Sequence, residues 1–208
     1  MNHIKHLIFD FGNVLLNLDE QKTWQGLEEI LDPKLCEDIN EQVFFPFECG
    51  LISEDSFFNR LQRRSLNVLQ GDVYVKIWNA MLLDLPEHRI LFLEKLKSNY
   101  NIYLLSNTNI THLRSVQHKI KRIYPTLDFE SLFNKMYFSH DIHLRKPDPK
   151  IYEYVLQDAS LQPHECLFID DKIENIEAAQ SLGINSYHHN YNDDIADIFE
   201  HIVAKFNG

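Results

Sequence analysis

Ile4-Lys5-His6-Leu7-Ile8-Phe9-Asp10-Phe11-Gly12-Asn13-Val14-Leu15 decides the fold of this chain. Leu7, Ile8 and Phe9 are consecutive and apolar, the pattern of a strand buried on both faces of a parallel sheet. The run stops at a carboxylate, and a glycine follows two residues later. Packing alone gives an acid no reason to end such a strand. In open α/β sheets the carboxyl ends of the strands face the ligand, so Asp10 would lie at that edge. Taken by itself, Asp10 reads equally well as a residue that opens a turn.

The same signature recurs downstream. Pro86 suits the first turn of a helix whose apolar face is Ile90, Leu91, Leu93 and Leu96. Residues 102–105 form a strand that ends in Ser106-Asn107-Thr108, and residues 110–123 are helical. Residues 135–139 read as a short strand and 149–159 as a helix. Residues 166–169 form another strand, ending in Asp170-Asp171. A helix through Ile176, Ala179 and Leu182 stops at Gly183, a last strand covers 184–187, and an amphipathic helix closes the chain over 194–206. Strands alternating with helices predict an α/β fold: a doubly wound parallel sheet, a Rossmann-type core covered on both faces.

Residues 20–85 break that alternation. They read as helical, with no convincing strand. Pro33 interrupts one helix and starts another. Ser53 can cap a helix carrying Phe57, Phe58 and Leu61 on one face. A further helix runs through Val73, Ile77, Trp78 and Leu82. The segment is too long for a plain crossover. It is read as a small helical unit inserted after the first strand: residues 1–16 and 86–208 form the core, and residues 17–85 the insertion.

A chain of 208 residues can bury a full core. The formal charge of −11 argues against a nucleic-acid partner or an anionic membrane surface. It leaves room for a small anionic substrate where a metal or a local lysine reverses the field. Cys36, Cys49 and Cys166 are odd in number and lack metal-type spacing, so they read as buried free thiols in a reducing compartment. No signal peptide and no apolar run of membrane length is visible. The expectation is a cytoplasmic monomer or homodimer. The 11 histidines, among them His140, His143 and the pair His188-His189, have no zinc-type partners and are read as surface or loop residues.

Three apolar strands thus end in polar residues. If they are neighbours, Asp10, Ser106, Asn107, Asp170 and Asp171 share one edge, which is a site and not a turn. Three carboxylates crowded together need compensation. A hard divalent cation with oxygen ligands supplies it, and Mg²⁺ suits a site that also takes a substrate phosphate. Arg145-Lys146-Pro147-Asp148-Pro149 offers a cation for the far side of a bound anion, because the two prolines stiffen the turn that carries Lys146.

The set resembles the haloacid dehalogenase (HAD) superfamily of phosphotransferases over essentially the whole chain. Phe9-Asp10-Phe11-Gly12-Asn13-Val14-Leu15 is similar to its first motif and Leu104-Leu105-Ser106-Asn107-Thr108 to its second. Lys146-Pro147-Asp148-Pro149-Lys150-Ile151-Tyr152 looks like the third, and Phe168-Ile169-Asp170-Asp171-Lys172-Ile173-Glu174-Asn175-Ile176 like the fourth. The insertion matches the family's helical cap. Within the family the chain most resembles bacterial sugar-phosphate phosphatases of the α-D-glucose-1-phosphate phosphatase type. The resemblance implies a Mg²⁺-dependent phosphatase acting on a small phosphorylated metabolite. Asp10 would be the nucleophile, passing through an aspartyl-phosphate, with Ser106, Asn107 and Lys146 on the phosphate. Asp10, the Gly12 carbonyl and Asp171 would hold the metal, with Asp170 either a further ligand or the anchor of a metal-bound water. Asn175 reads as a support for these acids or, equally, as a polar residue near a helix start.

Gly12 departs from the family pattern, which has an aspartate there as general acid and base. Such help is worth roughly 10²–10⁴-fold, so its loss favours substrates with a good leaving group, such as an anomeric sugar phosphate. Phe44, Phe45, Phe47 and Glu48 are candidates for setting substrate choice, the aromatic rings as the roof of the cleft and Glu48 in contact with a substrate hydroxyl; the alternative is that the rings form the cap's own core. Two other functions use parts of the same set. A 2-haloacid dehalogenase needs the aspartate but no metal, which leaves Asp170-Asp171 without a purpose. A catalytically impaired phosphate-binding protein has Gly12 in its favour.

Overall fold

The computed structural model of the protein describes residues 4–206. Its strands are β1 (His6–Phe9), β2 (Asn101–Ser106), β3 (Lys135–Phe138), β4 (Cys166–Asp170) and β5 (Asn185–His188). The helices are α1 (Glu20–Ile30), α2 (Phe45–Glu48), α3 (Glu54–Gln62), α4 (Gly71–Trp78), α5 (Glu87–Leu96), α6 (Ile110–Ile123), α7 (Ser139–Ile142), α8 (Pro149–Asp158), α9 (Ile173–Ser181) and α10 (Ile195–Phe206). The strands form one sheet in the order β3-β2-β1-β4-β5, and every pairing is parallel. The order reverses beside β1, between β2 and β4, which is where open α/β sheets bind ligands.

The near-continuous apolar runs of the strands follow from burial on both faces. Leu7, Phe9, Ile102, Leu104, Leu167 and Ile169 point to one side and pack with Leu93, Val116, Ile120 and Phe199 from α5, α6 and α10. Ile8, Tyr103, Leu105, Cys166 and Phe168 point to the other and pack with Ile151 and Val155 of α8 and Ile176 and Ala179 of α9. A third apolar cluster draws only on residues 27–78, with Leu27, Val43, Phe57, Leu61, Tyr74 and Trp78 at its centre. Its helices obey their local signals. Ser53 Oγ accepts the Ser56 N–H at 3.2 Å to open α3, and Pro33 starts a single 3₁₀ turn.

Three local expectations change. Leu91 is 57% exposed, because α5 turns Ile90, Leu93 and Leu96 inward and leaves the intervening position outside. Leu82 lies beyond α4, where a 3₁₀ turn over Asn79–Met81 redirects the chain, and it bridges Leu18 in an antiparallel pair. Ser139 begins α7 instead of ending β3. Its Oγ accepts the Thr108 N–H at 2.9 Å and reaches the Glu48 carbonyl at 2.6 Å, which bends the chain away from the sheet. The cysteines are free thiols, Cys49 and Cys166 buried and Cys36 half-buried. Among the described residues no helix is long and apolar enough to cross a membrane.

The turn after α2 is pressed onto the sheet side of the molecule. The Cys49 carbonyl lies 2.8 Å from His143 Nδ1. Gly50 has φ +63°, and a Cβ there would stand 2.1 Å from the His140 carbonyl oxygen. Gly50→Ala therefore combines a left-handed backbone with a backbone overlap. A loss of at least about 2 kcal/mol is expected, or roughly 4–8 °C in Tm for a chain of this size. Thermal denaturation checks it; a melting point within about 1 °C of the parent would contradict the close approach.

Candidate active site

Sheet register assembles the acids. Phe9 pairs with Leu104 on one side and Ile169 on the other, so the next position sets Asp10 between Leu105 and Asp170. The Asp10 N–H donates to the Ile169 carbonyl at 2.9 Å, continuing the ladder one residue past β1. Lys146 enters from the loop before α8 and is 2% exposed. Its ammonium donates to Asp10 Oδ1 at 2.6 Å, Asp170 Oδ2 at 2.7 Å and the Leu105 carbonyl at 2.7 Å, which uses all three of its protons. Asn107 holds that loop: its Nδ2 donates to the Lys146 carbonyl and its Oδ1 accepts the Lys146 N–H, both at 2.8 Å. Expected on the phosphate, Asn107 has both ends of its amide on the Lys146 main chain. Ser106 is buried at the end of β2, and its hydroxyl makes no hydrogen bond to a described residue.

One carboxylate oxygen from each of Asp10, Asp170 and Asp171 lies within 4.8 Å of the others. Burial pushes the Asp10 carboxyl up to about 7; Asp170 and Asp171 push the same way, and Lys146 opposes them. Burial likewise raises Asp171, against the hydrogen bond from Asn13. Burial works to lower Lys146, but the charges of Asp10 and Asp170 outweigh it and raise the group above an ordinary lysine. These shifts describe a pocket that holds more negative charge than one ammonium balances.

A hard divalent cation fits the donor set, which is entirely oxygen. Asp10 Oδ2, Asp171 Oδ1 and the Gly12 carbonyl accept no hydrogen bond from a described residue and are open to it. Asp170 is fully buried and already engaged: Oδ2 on Lys146, Oδ1 on the Lys172 N–H at 2.8 Å and on Asn175 Nδ2 at 2.9 Å. Of the two readings of Asn175, support for an acid is the one its contact matches. Position 12 has no room for a side chain as it stands, because Leu18 Cδ1 is 2.5 Å from where a Cβ would be.

Sequence reasoning missed several members of this pocket. Asn13 sits at φ +56°, and its Nδ2 donates to Asp171 Oδ2 at 2.9 Å. The Gly-Asn pair after the strand was a usable signal, since Asn tolerates the left-handed region. Lys172 points at Glu20 of α1 at 3.3 Å, and Arg145 pairs with Glu48 at 3.1 Å. The adjoining cavity measures about 250 Å³. Trp24, Phe44, Phe45 and Glu48 line it, whereas Phe47 is buried in the 27–78 cluster, stacked on Phe57 at 4.0 Å. The candidate roof is thus divided: Phe47 is core, Phe45 and Glu48 face the cleft, and Phe44 does both.

The histidine expectation needs correction. His189 is 1% exposed, held at the sheet edge by its N–H on the Asp170 carbonyl. The His140 side chain is also largely covered. His112 is buried against Trp78, ring centroids 4.9 Å apart, with Nε2 2.9 Å from the Trp78 carbonyl. Burial pushes His112 down to about 4, so it is a neutral packing group near neutral pH.

Comparison with known proteins agrees with this geometry. A family model described as haloacid dehalogenase-like hydrolase matches residues 7–188. The chain is 26% identical over 190 residues to D-ribitol-5-phosphate phosphatase of Bacteroides thetaiotaomicron, spanning 88% of this chain and 91% of that one. It is 27% identical to a sesquiterpene phosphatase of Aspergillus oryzae, over 88% of this chain and 89% of that one. Among solved structures, a HAD family enzyme of Bacteroides thetaiotaomicron in complex with magnesium and inorganic phosphate has a TM-score of 0.83 at 32% identity, covering 94% of this chain and 99% of that one. With the match running from β1 to β5, the chain belongs to the haloacid dehalogenase-like hydrolase family.

Proposed function

We propose that this chain is a Mg²⁺-dependent phosphatase that hydrolyses a small phosphorylated metabolite, a sugar phosphate or a close relative, through an aspartyl-phosphate on Asp10. The observation that carries it is the clustering of three acids around one buried ammonium at the sheet's ligand edge. Similarity to phosphatases, and to a solved enzyme holding magnesium and phosphate, supports the same reading.

Asp10, Asp171 and the Gly12 carbonyl would hold the metal, with Asp170 beside them. Bound there, Mg²⁺ supplies positive charge against the phosphoryl oxygens. The rest falls to the chain's own groups. Asp10 attacks phosphorus in line and needs no base, being ionised once a cation balances the pocket. Lys146 redirects to a phosphoryl oxygen the N–H that it gives Asp10 Oδ1 in the resting pocket, and the free Ser106 hydroxyl donates to another, where charge accumulates in the transition state. Water then releases phosphate from Asp10. No carboxyl stands at position 12 to protonate the leaving oxygen, so esters with good leaving groups react most readily. Residues 17–85 act as the cap over the cleft, with Glu20, Trp24, Phe45 and Glu48 facing the substrate.

Phosphate release from a panel of phosphorylated metabolites tests this. Activity is expected only with Mg²⁺, falling at least about 100-fold in EDTA and returning on adding the metal back. Halide release from a 2-haloacid, with no phosphate release, would make the chain a dehalogenase. Phosphate binding without turnover of any ester would make it an impaired binding protein.

A further inference from the structure

We propose that Glu48 and Arg145 read hydroxyl groups on the part of the substrate that departs with the ester oxygen, so that the substrate is a polyhydroxylated monophosphate with no second charged group. The inference rests on the phosphatase reading above and deepens it.

Arg145 immediately precedes Lys146, whose main chain Asn107 grips from both sides. Its guanidinium therefore stands at a fixed place on the rim of the phosphate pocket. The guanidinium carbon is 3.9 Å from the Phe45 ring centroid. Nε and Nη2 both reach the same oxygen, Glu48 Oε2, at 3.2 and 3.1 Å. This leaves Glu48 Oε1 accepting no hydrogen bond from a described residue, and Arg145 Nη1 donating none. Both side chains line the cavity and are mostly covered, 24% and 27% exposed. An unused acceptor and an unused donor on one paired unit match two hydroxyls of one ligand: one O–H donates to Oε1, and another hydroxyl oxygen accepts from Nη1.

The charge balance excludes other occupants. Arg145 and Glu48 cancel, and Lys172 and Glu20 nearby cancel in the same way. Beyond the acid cluster and Lys146 the cavity therefore offers no net positive charge to a second phosphate or a carboxylate. A purely apolar leaving group is disfavoured for a different reason, because it would cover Oε1 and Nη1 and pair neither. Trp24, Phe44 and Phe45 on the same cavity give the C–H faces of a sugar or polyol a flat surface. A volume of about 250 Å³ limits the ligand to a small molecule.

The alternative role for the pair is a latch that only holds the cap against the core. The two roles separate in kcat/KM, measured with Mg²⁺ on an aldose 1-phosphate, a pentitol 5-phosphate and phenyl phosphate, which carries no hydroxyl. The wild type is expected to show a lower KM for at least one hydroxylated ester than for phenyl phosphate, although phenoxide is the better leaving group. In Glu48→Gln and Arg145→Met the ratio of hydroxylated to phenyl ester should fall roughly 10- to 100-fold, about the worth of one charge-assisted hydrogen bond, mainly through KM. Equal losses on all three esters would leave the pair a latch and overturn the proposal. A wild type whose KM is lower for phenyl phosphate than for every hydroxylated ester would overturn it too, while leaving the phosphatase reading intact. No release from any ester would sink the phosphatase reading itself.

Discussion

Asp10→Asn is expected to abolish phosphate release and, in metal-free buffer at pH 8, to melt above the wild type. The activity loss should be at least about 10³-fold, as for other nucleophiles removed from a working site. The amide keeps the shape of the carboxylate, and its oxygen can still accept from Lys146, so misfolding does not explain the loss. Stability moves the opposite way because the Asp10 carboxyl is raised from 3.8 to about 7, first by burial. A carboxyl raised on folding keeps its proton in the folded chain while the unfolded chain has lost it. Its contribution to stability therefore declines as pH rises across that window and is lowest above about 7. Asparagine carries no such dependence. The melting-point difference, variant minus wild type, should be smallest at pH 5 and grow towards pH 8. Saturating Mg²⁺ should reverse it, since the metal stabilises the form that binds it better. A difference that stays flat with pH would remove the electrostatic account, and retention of more than about a tenth of the activity would remove Asp10 as nucleophile.

The contrast between Asp10 and the partner of Glu48 shows what was legible in the sequence. Asp10, Asp170 and Ser106 each end an apolar run, and a parallel sheet aligns the ends of its strands. Local pattern and one topological rule were enough to bring them together. Lys146 carried a local sign of its own in the flanking prolines. Glu48 and Arg145 meet across 97 residues of chain, and Lys172 and Glu20 across 152, with no period or spacing linking the partners. Such pairs arise from how the 20–85 helices settle on the sheet, which composition does not determine. The histidines were legible in part: His112 lies on α6 one turn before Val116 and two before Ile120, so helical periodicity sets it on the buried face, whereas the Trp78 ring that packs on it arrives from α4 and could not be read from spacing. Asn13 was a different case: its side chain was visible as a turn residue, but its target, Asp171, depended on β4 lying beside β1.

Lys146→Met should produce the other large effect, in stability as well as rate. The side chain is 2% exposed and its ammonium is the buried counter-charge to Asp10 and Asp170. Breaking a buried ion pair from one side costs about 3–5 kcal/mol, because the remaining charges stay buried without compensation. For a chain of this length that is a fall of roughly 6–20 °C in Tm. The loss should be larger at pH 8 than at pH 5, since without the ammonium the acids can relieve their repulsion only by taking up protons. Mg²⁺ answers part of the same repulsion and should therefore raise the variant's melting point by more than it raises the wild type's. Activity should stay at least about 100-fold down at saturating metal, for the ammonium proposed to meet the charge on the phosphoryl oxygens has gone. The two readouts thus separate. A variant whose metal-free melting point at pH 8 lies within about 2 °C of the wild type would show that the acids are not held in check by Lys146. A variant restored to full activity by Mg²⁺ would show that the ammonium serves only the resting pocket and not the transferred phosphate.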